Sequence, residues 1–472
     1  MKIILRHKIL ETVSEIAFHN KTECYVVGGF VRDSIMRRHN KDIDILVVGS
    51  GIELAEKVAE RLGCNVHVFK NFGTAQVKTS EIEIEFVGAR KESYNRGSRK
   101  PVVENGTLDD DLSRRDFTIN AIAASLSPLN YGEIIDKFNG TEDINKGIIR
   151  TPLEPNITFS DDPLRMMRAV RFAAQLGFSI DDQTLTAISS NAERLEIISA
   201  ERMTEEFNKI LLSPIPSAGI QLMQETGLLK YFLPEMLMLK GTEYVGGFGH
   251  KDNFSHTLQV VDNVRKNTDN IWLLWTALLH DIAKPKTKKF TKETGWTFHG
   301  HEILGAKMAG DIFRRLRLPL GEPLKYIKKI ISLHLRPAAL TDDVISDSAV
   351  RRLLFEAGND IEDLMILAEA DITSKNREKV KKYLENFAIL KQKMELVEES
   401  DRVRNWQPPV SGEEIMSVFG LEPCKKVGDL KNSLKEAILN GDIRNDRVEA
   451  WNFLIEQAKS MGIELVIKPE DL

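Results

Sequence analysis

Two hydrophobic periods divide the chain. Up to about residue 150 the apolar residues fall in short runs or alternate with polar ones, as in "ECYVVGG", "KDIDILVVG", "GCNVHVFK" and "TSEIEIEFVGA", the signature of buried and half-buried strands. A short helix over residues 6–19 precedes them. From "DDPLRMMRAVRFAAQLGF" onward the apolar positions recur at spacings of three and four, and this helical period continues almost to the end. The pattern predicts a mixed α/β region followed by a mostly helical one. Within the second, "LPEMLMLKGTEYVGGFGHKDN" is a Gly- and Pro-containing break and residues 374–378 form a polar one. Domains are therefore expected at 1–150, 151–239, 240–375 and 376–472. The last should hold a strongly charged helix near 377–400, then "NWQPPVSG", then two or three short helices.

Composition changes this picture little. With 472 residues, 42% hydrophobic and 29% charged, the chain is an ordinary globular multidomain protein. The first apolar run is interrupted by Arg6 and His7, and the longest later one, "IWLLWTALL", reaches about half a bilayer span, so neither secretion nor membrane insertion is expected. Cys24, Cys64 and Cys424 are odd in number and far apart, which excludes a disulfide framework and fits a reducing cytoplasm. A net charge of −5 confines any nucleic-acid contact to local clusters such as "RRHNK", "YNRGSRK", "KPKTKKFTK" and "RRLRL", each of which alone is more often a solvated face.

Candidate chemistry begins in "VVGGFVRDSIMRRHNKDIDILVVG". Side chains alternate along a strand, so Asp42 and Asp44 share one face while Ile43 and Ile45 take the other. Two carboxylates held together repel unless a cation is shared, and magnesium with its preference for oxygen ligands and phosphates suits them. Gly28 and Gly29 allow close backbone approach to a polyphosphate, and Arg32 offers a charged fork. A third acid would complete a two-metal site. Glu81, Glu83 and Glu85 lie on one face of "EIEIEFVGAR"; for the first two a solvated strand face is the better reading.

Taken in order, "GGFVRD…DID", "RRDFTINA", "DKFNGTEDI", "DDPLRMMRAVRFA" and "ERMTEEFNKIL" resemble the successive motifs of the class II tRNA nucleotidyltransferase and bacterial poly(A) polymerase family. Downstream segments resemble the longer CCA-adding enzymes with an HD domain and a helical tail. The resemblance implies an α+β multidomain chain: a polymerase-β-like nucleotidyltransferase head with a mixed sheet, then all-α neck, HD and tail regions. It implies that Asp42 and Asp44 bind catalytic Mg2+ with Glu85 as third acid. Gly28, Gly29 and Arg32 would hold the triphosphate, while Arg115, Asp116 and Asn120 contact phosphates and ribose. The implied partners are tRNA, CTP and ATP.

In "DDPLR", Asp162 and Arg165 are three residues apart and are expected on one helix face. Arginine only donates hydrogen bonds and ionised aspartate only accepts them. Such a pair matches the acceptor-and-amino edge shared by cytosine and adenine and rejects uracil and guanine. Asp161 stands where the family pattern has a glutamate that orients the arginine. Arg168 continues the basic side toward phosphate, and Arg171 either does the same or packs. Between Glu85 and "RRDF", the polar "ARKESYNRGSRKPVVENGTLDDDL" is expected as a mobile loop, the element this family uses when switching from C to A addition.

A second constellation runs through "HKDNFSHTLQVVDNV", "ALLHDIAKP", "FHGHEILGAKMAG", "SLHLRP" and "LAEADITSK". His256, the His280–Asp281 pair and Asp371 resemble the metal ligands of the HD phosphohydrolase superfamily, with His301 and His334 as ligands of a second ion or contacts to substrate phosphate. A packed or surface histidine is the reading for His250 and His299. In the tail, Lys425 and Lys426 are candidate phosphate contacts. Full CCA addition is the leading expectation. A poly(A) polymerase or partial enzyme, and an HD phosphohydrolase with an RNA-binding head, are the alternatives. The mixed-charge tail counts against poly(A) polymerase, and the intact Asp42, Asp44, Asp162 and Arg165 count against the HD phosphohydrolase with an RNA-binding head.

Overall fold

A computed structural model describes the chain except residues 6, 41, 71–72, 80–81, 96–97, 246–247, 250–251, 342–344, 374–375, 402–405 and 472. Glu81 and His250 therefore lie outside the described residues. The chain divides into two compact units, Met1–Leu237 and Met238–Leu472.

The first unit opens with α1 (Lys8–His19), β1 (Cys24–Val27), α2 (Gly29–Ile35), β2 (Asp42–Val47), α3 (Gly51–Leu62), β3 (Val66–Phe69), β4 (Thr74–Lys78) and β5 (Glu83–Gly88). A hairpin of β6 (Arg90–Asn95) and β7 (Ser98–Asn105) follows, then α4 (Leu108–Ser113), β8 (Ile122–Ser125), β9 (Ile134–Asp136) and α5 (Gly140–Lys146). Seven strands form one sheet in the order β3-β4-β5-β2-β1-β8-β9. All its pairs are antiparallel except β2 with β5, which run parallel across the α3 crossover. Alternation along β2 buries Ile43 and Ile45 completely or nearly so, and α1 and α3 bring Leu10, Val13, Leu54, Ala55 and Val58 into the same core. Ser50 starts α3 by accepting from the Glu53 N–H.

One expectation is corrected here. The segment after Glu85, read as a mobile loop, forms the β6–β7 antiparallel hairpin, with an irregularity between Ser93 and Asn95. Its polar composition masked the strands because this pair lies outside the main sheet and needs no apolar face to enter its core.

The remainder of the unit is helical: the two-residue strands β10 (Ile148–Ile149) and β11 (Ser179–Ile180) pair in parallel among α6 (Pro155–Asp161), α7 (Leu164–Leu176), α8 (Asp182–Asn191), α9 (Ala200–Leu211), α10 (Pro216–Glu225) and α11 (Leu228–Phe232). α7 buries Met166, Met167, Ala169, Val170 and Phe172 and stops at Gly177, whose left-handed conformation ends the helix.

The second unit begins with β12 (Tyr244–Val245) and β13 (Phe248–Gly249), then α12 (Asn253–Arg265), α13 (Ile271–Leu279), α14 (Lys284–Thr287), the hairpin of β14 (Lys289–Thr291) and β15 (Gly295–Thr297), α15 (His301–Arg315) and α16 (Glu322–Leu333). It continues with α17 (Arg336–Ala339), α18 (Asp347–Ala357), α19 (Ile361–Ala370) and α20 (Arg377–Asp401). The final helices α21 (Gly412–Phe419), α22 (Lys425–Asn440) and α23 (Arg447–Ser460) close over a core of their own that includes Ile415, Phe419, Leu430, Leu434, Trp451 and Leu454. Among the described residues no helix is long and apolar enough to cross a membrane.

Candidate active sites of the two units

Strand register builds the first site. The parallel pairing sets Asp44 beside Glu85 and Asp42 beside Glu83, while β1 sets Val27 against Asp44. The chain thus leaves β1 at Gly28 next to Asp44. Gly28 has φ +74° and ψ −134°, a conformation restricted to glycine, and a Cβ there would lie 2.9 Å from Arg115 Nη1 and 3.8 Å from Asp44 Oδ2. Burial pushes the Asp44 carboxyl up, Arg115 opposes it, and the charges of Glu85 and Asp42 push further in the same direction as burial. Glu83 instead takes the amide of Gln76 and faces Lys78 at 3.7 Å on the exposed strand end. This separates it from Glu85, as expected.

A polar chain leads away from the glycine turn. Arg32 donates to both oxygens of Asp33 at 2.9 Å, and Asn40 donates to Asp33 at 2.6 Å. Arg32 Nη1 also donates to Asn120 Oδ1 at 2.8 Å, Asn120 donates to Asp116 Oδ1 at 3.0 Å, and Arg168 donates to Asp116 Oδ2 at 2.8 and 2.5 Å. Four residues expected at the nucleotide therefore form one buried or half-buried network. The guanidinium carbons of Arg32, Arg168 and Arg171 surround the Phe172 ring at 5.1, 5.5 and 4.0 Å from its centroid. Arg171 pairs with the buried Glu206 at 2.6 Å, which assigns it to packing of α7 on α9.

Burial alone would raise the Asp116 carboxyl, but the Arg168 charge and the Asn120 amide hold it down to about 2. A carboxyl depressed in the fold stabilises it above its unfolded pKa, and the gain is lost as pH falls through the folded value. The depression amounts to about 2 kcal/mol. Denaturant unfolding of wild type and Asp116→Asn should therefore differ by roughly that amount at pH 7, with the gap about halved near pH 3. A gap independent of pH would refute the ion pair as its source.

A second expectation is corrected at the base-reading motif. Asp162 does not share a helix with Arg165: α6 ends at Asp161, and Asp162 is extended, with φ −137° and ψ 98°. Pro163 is the cause, because a residue before proline is driven out of the helical region. Asp162 Oδ1 accepts from the Leu164 N–H at 3.2 Å, and its Oδ2 lies 3.7 Å from Arg202. Arg165, in the first turn of α7, donates through Nη2 to the Arg114 carbonyl at 2.5 Å. The two are neighbours joined through the backbone, where the Arg165 N–H bonds the Asp162 carbonyl at 3.0 Å.

In the second unit, α12, the end of α13, the start of α15 and the ends of α16 and α19 bring the predicted histidines and aspartates together. His256 Nε2 lies 2.8 Å from Asp371 Oδ1 and 3.5 Å from Asp281 Oδ2, and His280 Nε2 is 3.3 Å from that same Asp281 oxygen. The other oxygen, Oδ1, is 3.3 Å from His301 Nε2, which in turn is 3.4 Å from His334 Nε2. Two groups result whose ligand atoms lie within 4.8 Å of one another: His256, His280 and Asp281, and Asp281, His301 and His334. Each imidazole is pinned through Nδ1: His280 to the Ala277 carbonyl at 2.8 Å, His301 to Phe298 at 2.7 Å, His334 to Ile331 at 2.6 Å, and His256 to the Thr373 hydroxyl at 2.7 Å. Every Nε2 therefore turns inward.

Buried His280 Nε2 and Asp281 Oδ1 have no hydrogen-bond partner. Burial works against a charged His280, yet Asp281 and Asp371 push it up to about 10, whereas burial and the His280 charge depress His334 to about 4. Both carboxylates sit well below their usual range despite burial. A nitrogen-and-oxygen donor set with orphaned inward atoms fits divalent cations. His299 is exposed, as expected. Sequence reading missed Thr373 and also Lys284, which reaches Asp281 Oδ2 at 2.6 Å; the spacing of Lys284 three residues after Asp281 was the available signal.

Residues 24–150 match the Poly A polymerase head domain, 177–239 the probable RNA and SrmB-binding site of polymerase A, and 253–376 the HD domain. The A-adding tRNA nucleotidyltransferase of Deinococcus radiodurans is 31% identical over 428 residues, covering 89% of this chain and 92% of its own. The CCA-adding enzyme of a Geobacillus species (strain WCH70) is 32% identical over 451 residues, covering 94% and 95%. A solved apo structure of a CCA-adding enzyme shares the fold with a TM-score of 0.65 over 95% of both chains, at 23% identity.

Proposed function

Since the chain belongs to the class II tRNA nucleotidyltransferase and bacterial poly(A) polymerase family and is itself a tRNA nucleotidyltransferase with an HD domain, we propose that it performs full CCA synthesis. It adds CMP, CMP and AMP from CTP and ATP to the tRNA 3′ end, in the cytoplasm and without a nucleic-acid template. The observation that carries the reading is the convergence of Asp44, Glu85, Gly28 and Arg115 where β1 ends and β2 and β5 begin. Three additions are favoured over CC-only addition by the presence of the Arg90–Asn105 segment between Glu85 and the "RRDF" motif, where the family has its C-to-A switching element.

The residues divide the work. Asp42, Asp44 and Glu85 offer oxygen ligands for Mg2+, which when bound lowers the pKa of the attacking 3′ hydroxyl and neutralises the leaving pyrophosphate. Gly28 and Gly29 admit the phosphates to the backbone, with Arg32 and Arg115 as donors. Asp116 and Asn120 fix phosphate and ribose geometry through the network that ends on Arg168. Asp162 accepts from the exocyclic amino group of cytosine or adenine, Arg165 donates to the adjacent ring nitrogen, and Asp161 stands beside them. The protein mainly positions and neutralises.

We divide the chain into a head (1–150), a neck (151–239), an HD domain (240–375) and a tail (376–472) that grips tRNA, with Lys425 and Lys426 as candidate phosphate contacts. The HD site is a metal-dependent phosphohydrolase for phosphomonoesters or 2′,3′-cyclic phosphates at RNA ends. His256, His280, Asp281 and Asp371 hold one cation, and Asp281, His301 and His334 a second.

Incubation with Mg2+, CTP, ATP and a tRNA transcript ending at the discriminator base tests the primary reading. Three added nucleotides, with C required before A, are expected. A long adenosine ladder would reassign the enzyme to poly(A) synthesis. Two cytidines alone, or a single adenosine only on transcripts already ending in CC, would make it a partial enzyme.

A further inference from the structure

Asp111, on α4, was not among the residues singled out from the sequence. It is fully buried, and its two oxygens are divided between two arginines. Oδ1 accepts from Arg114 Nε at 2.8 Å and also from its Nη2. Oδ2 accepts from Arg115 Nε at 3.1 Å and Nη2 at 2.9 Å. With Nε and Nη2 engaged, Arg115 is left with Nη1, the atom that lies 2.9 Å from the Cβ position of Gly28. The carbonyl of Arg114 in turn holds Arg165.

The neighbourhood of Arg115 makes this grip consequential. A guanidinium on a long flexible stem near Asp44 has an obvious alternative, which is to swing onto that carboxylate and occupy the place a cation needs. A buried, two-point carboxylate removes that freedom.

We propose that Asp111 is a positioning residue for nucleotide addition: it holds Arg115 so that Nη1 faces the phosphate turn at Gly28 and stays off the carboxylates that bind the cation. The proposal rests on the reading of Arg115 as a phosphate contact and of Asp42, Asp44 and Glu85 as the Mg2+ site.

The experiment is a double-mutant cycle of Asp111→Asn and Arg115→Ala in the full chain, measuring kcat, nucleotide KM and the Mg2+ concentration for half-maximal rate. Asp111→Asn should raise the KM of CTP and ATP alike, by about tenfold, and raise the Mg2+ requirement, with kcat at saturation little changed. Arg115→Ala should raise nucleotide KM without raising the Mg2+ requirement. In the double variant the KM should equal that of Arg115→Ala and the Mg2+ requirement should return to its level, because Asp111 has nothing left to hold. Multiplicative effects of the two substitutions would overturn the proposal. So would a raised KM in Asp111→Asn combined with an unchanged one in Arg115→Ala, an outcome that also removes Arg115 from the phosphate site. If thermal melting shows Asp111→Asn to be unfolded at the assay temperature, Asp111→Glu, which keeps the charge but displaces it by one methylene, enters the same cycle.

Discussion

Asp44→Asn is expected to reduce nucleotide addition at least about a thousandfold while leaving the protein as stable as wild type or more so. The two halves of this result have one cause. Asp44 is the most enclosed member of its acidic group, flanked by Asp42 along β2 and Glu85 across the parallel ladder. Burial and its acidic neighbours raise its carboxyl, so the ionised form that the chemistry requires is the form the fold tolerates least. A group raised in the folded state costs stability once it is ionised, and an amide removes that cost along with the charge and a ligand oxygen. Single-turnover addition of CMP, paired with thermal melting at neutral pH, measures both. Wild-type turnover in the variant would exclude Asp44 from the metal site, and a large fall in melting temperature would mean that its role is structural.

Asp281→Asn is expected to abolish binding of both cations proposed for the second unit and to lower the phosphohydrolase rate proposed for it by about three orders of magnitude. Asp281 is the common member of the two ligand groups, and its oxygens face different histidines. His334→Ala, by contrast, touches one group only. Metal content of the purified full chain should therefore fall from two to none in the first variant and from two to one in the second. Using a background of Asp42→Ala removes the head from the count. Equal metal content in wild type and His334→Ala would confine the unit to one cation. Nucleotide addition by Asp281→Asn in the otherwise wild-type chain should be unchanged, which separates loss of a site from loss of the fold.

How much of this was legible depended on whether local sequence or remote packing decided the outcome. Alternation placed Asp42 and Asp44 on one face, because period and burial are local properties of a strand. The histidine and aspartate cluster of the second unit was legible because its members stand in or directly at the ends of successive helices, in the order of the HD motif. β4 was missed, since "TAQVK" is short and owes its place to β3 and β5 on either side. The break at Asp162 was available in Pro163 but was overridden by the helix on both sides. Asp111 was invisible for another reason: in "TLDDDLSRRDF" it looks like part of the acidic first turn of a helix, and only the fold distinguishes it from the exposed Asp109 and the half-buried Asp110. Its spacing of three and four to Arg114 and Arg115 was the signal.

The single parallel pairing in the head sheet has a consequence for the order of events in folding. Residues 24–47 are made before α3 and contain Gly28, Arg32, Asp42 and Asp44, but β2 must wait for α3, β3 and β4 to be synthesised before β5 arrives to dock beside it. Closing that long crossover is among the slower steps available to such a sheet. Glu85 joins the two aspartates only when it is complete, and Arg115 later still. A nascent or half-folded head thus carries the acidic strand β2 without the third acid that the complete sheet sets beside it.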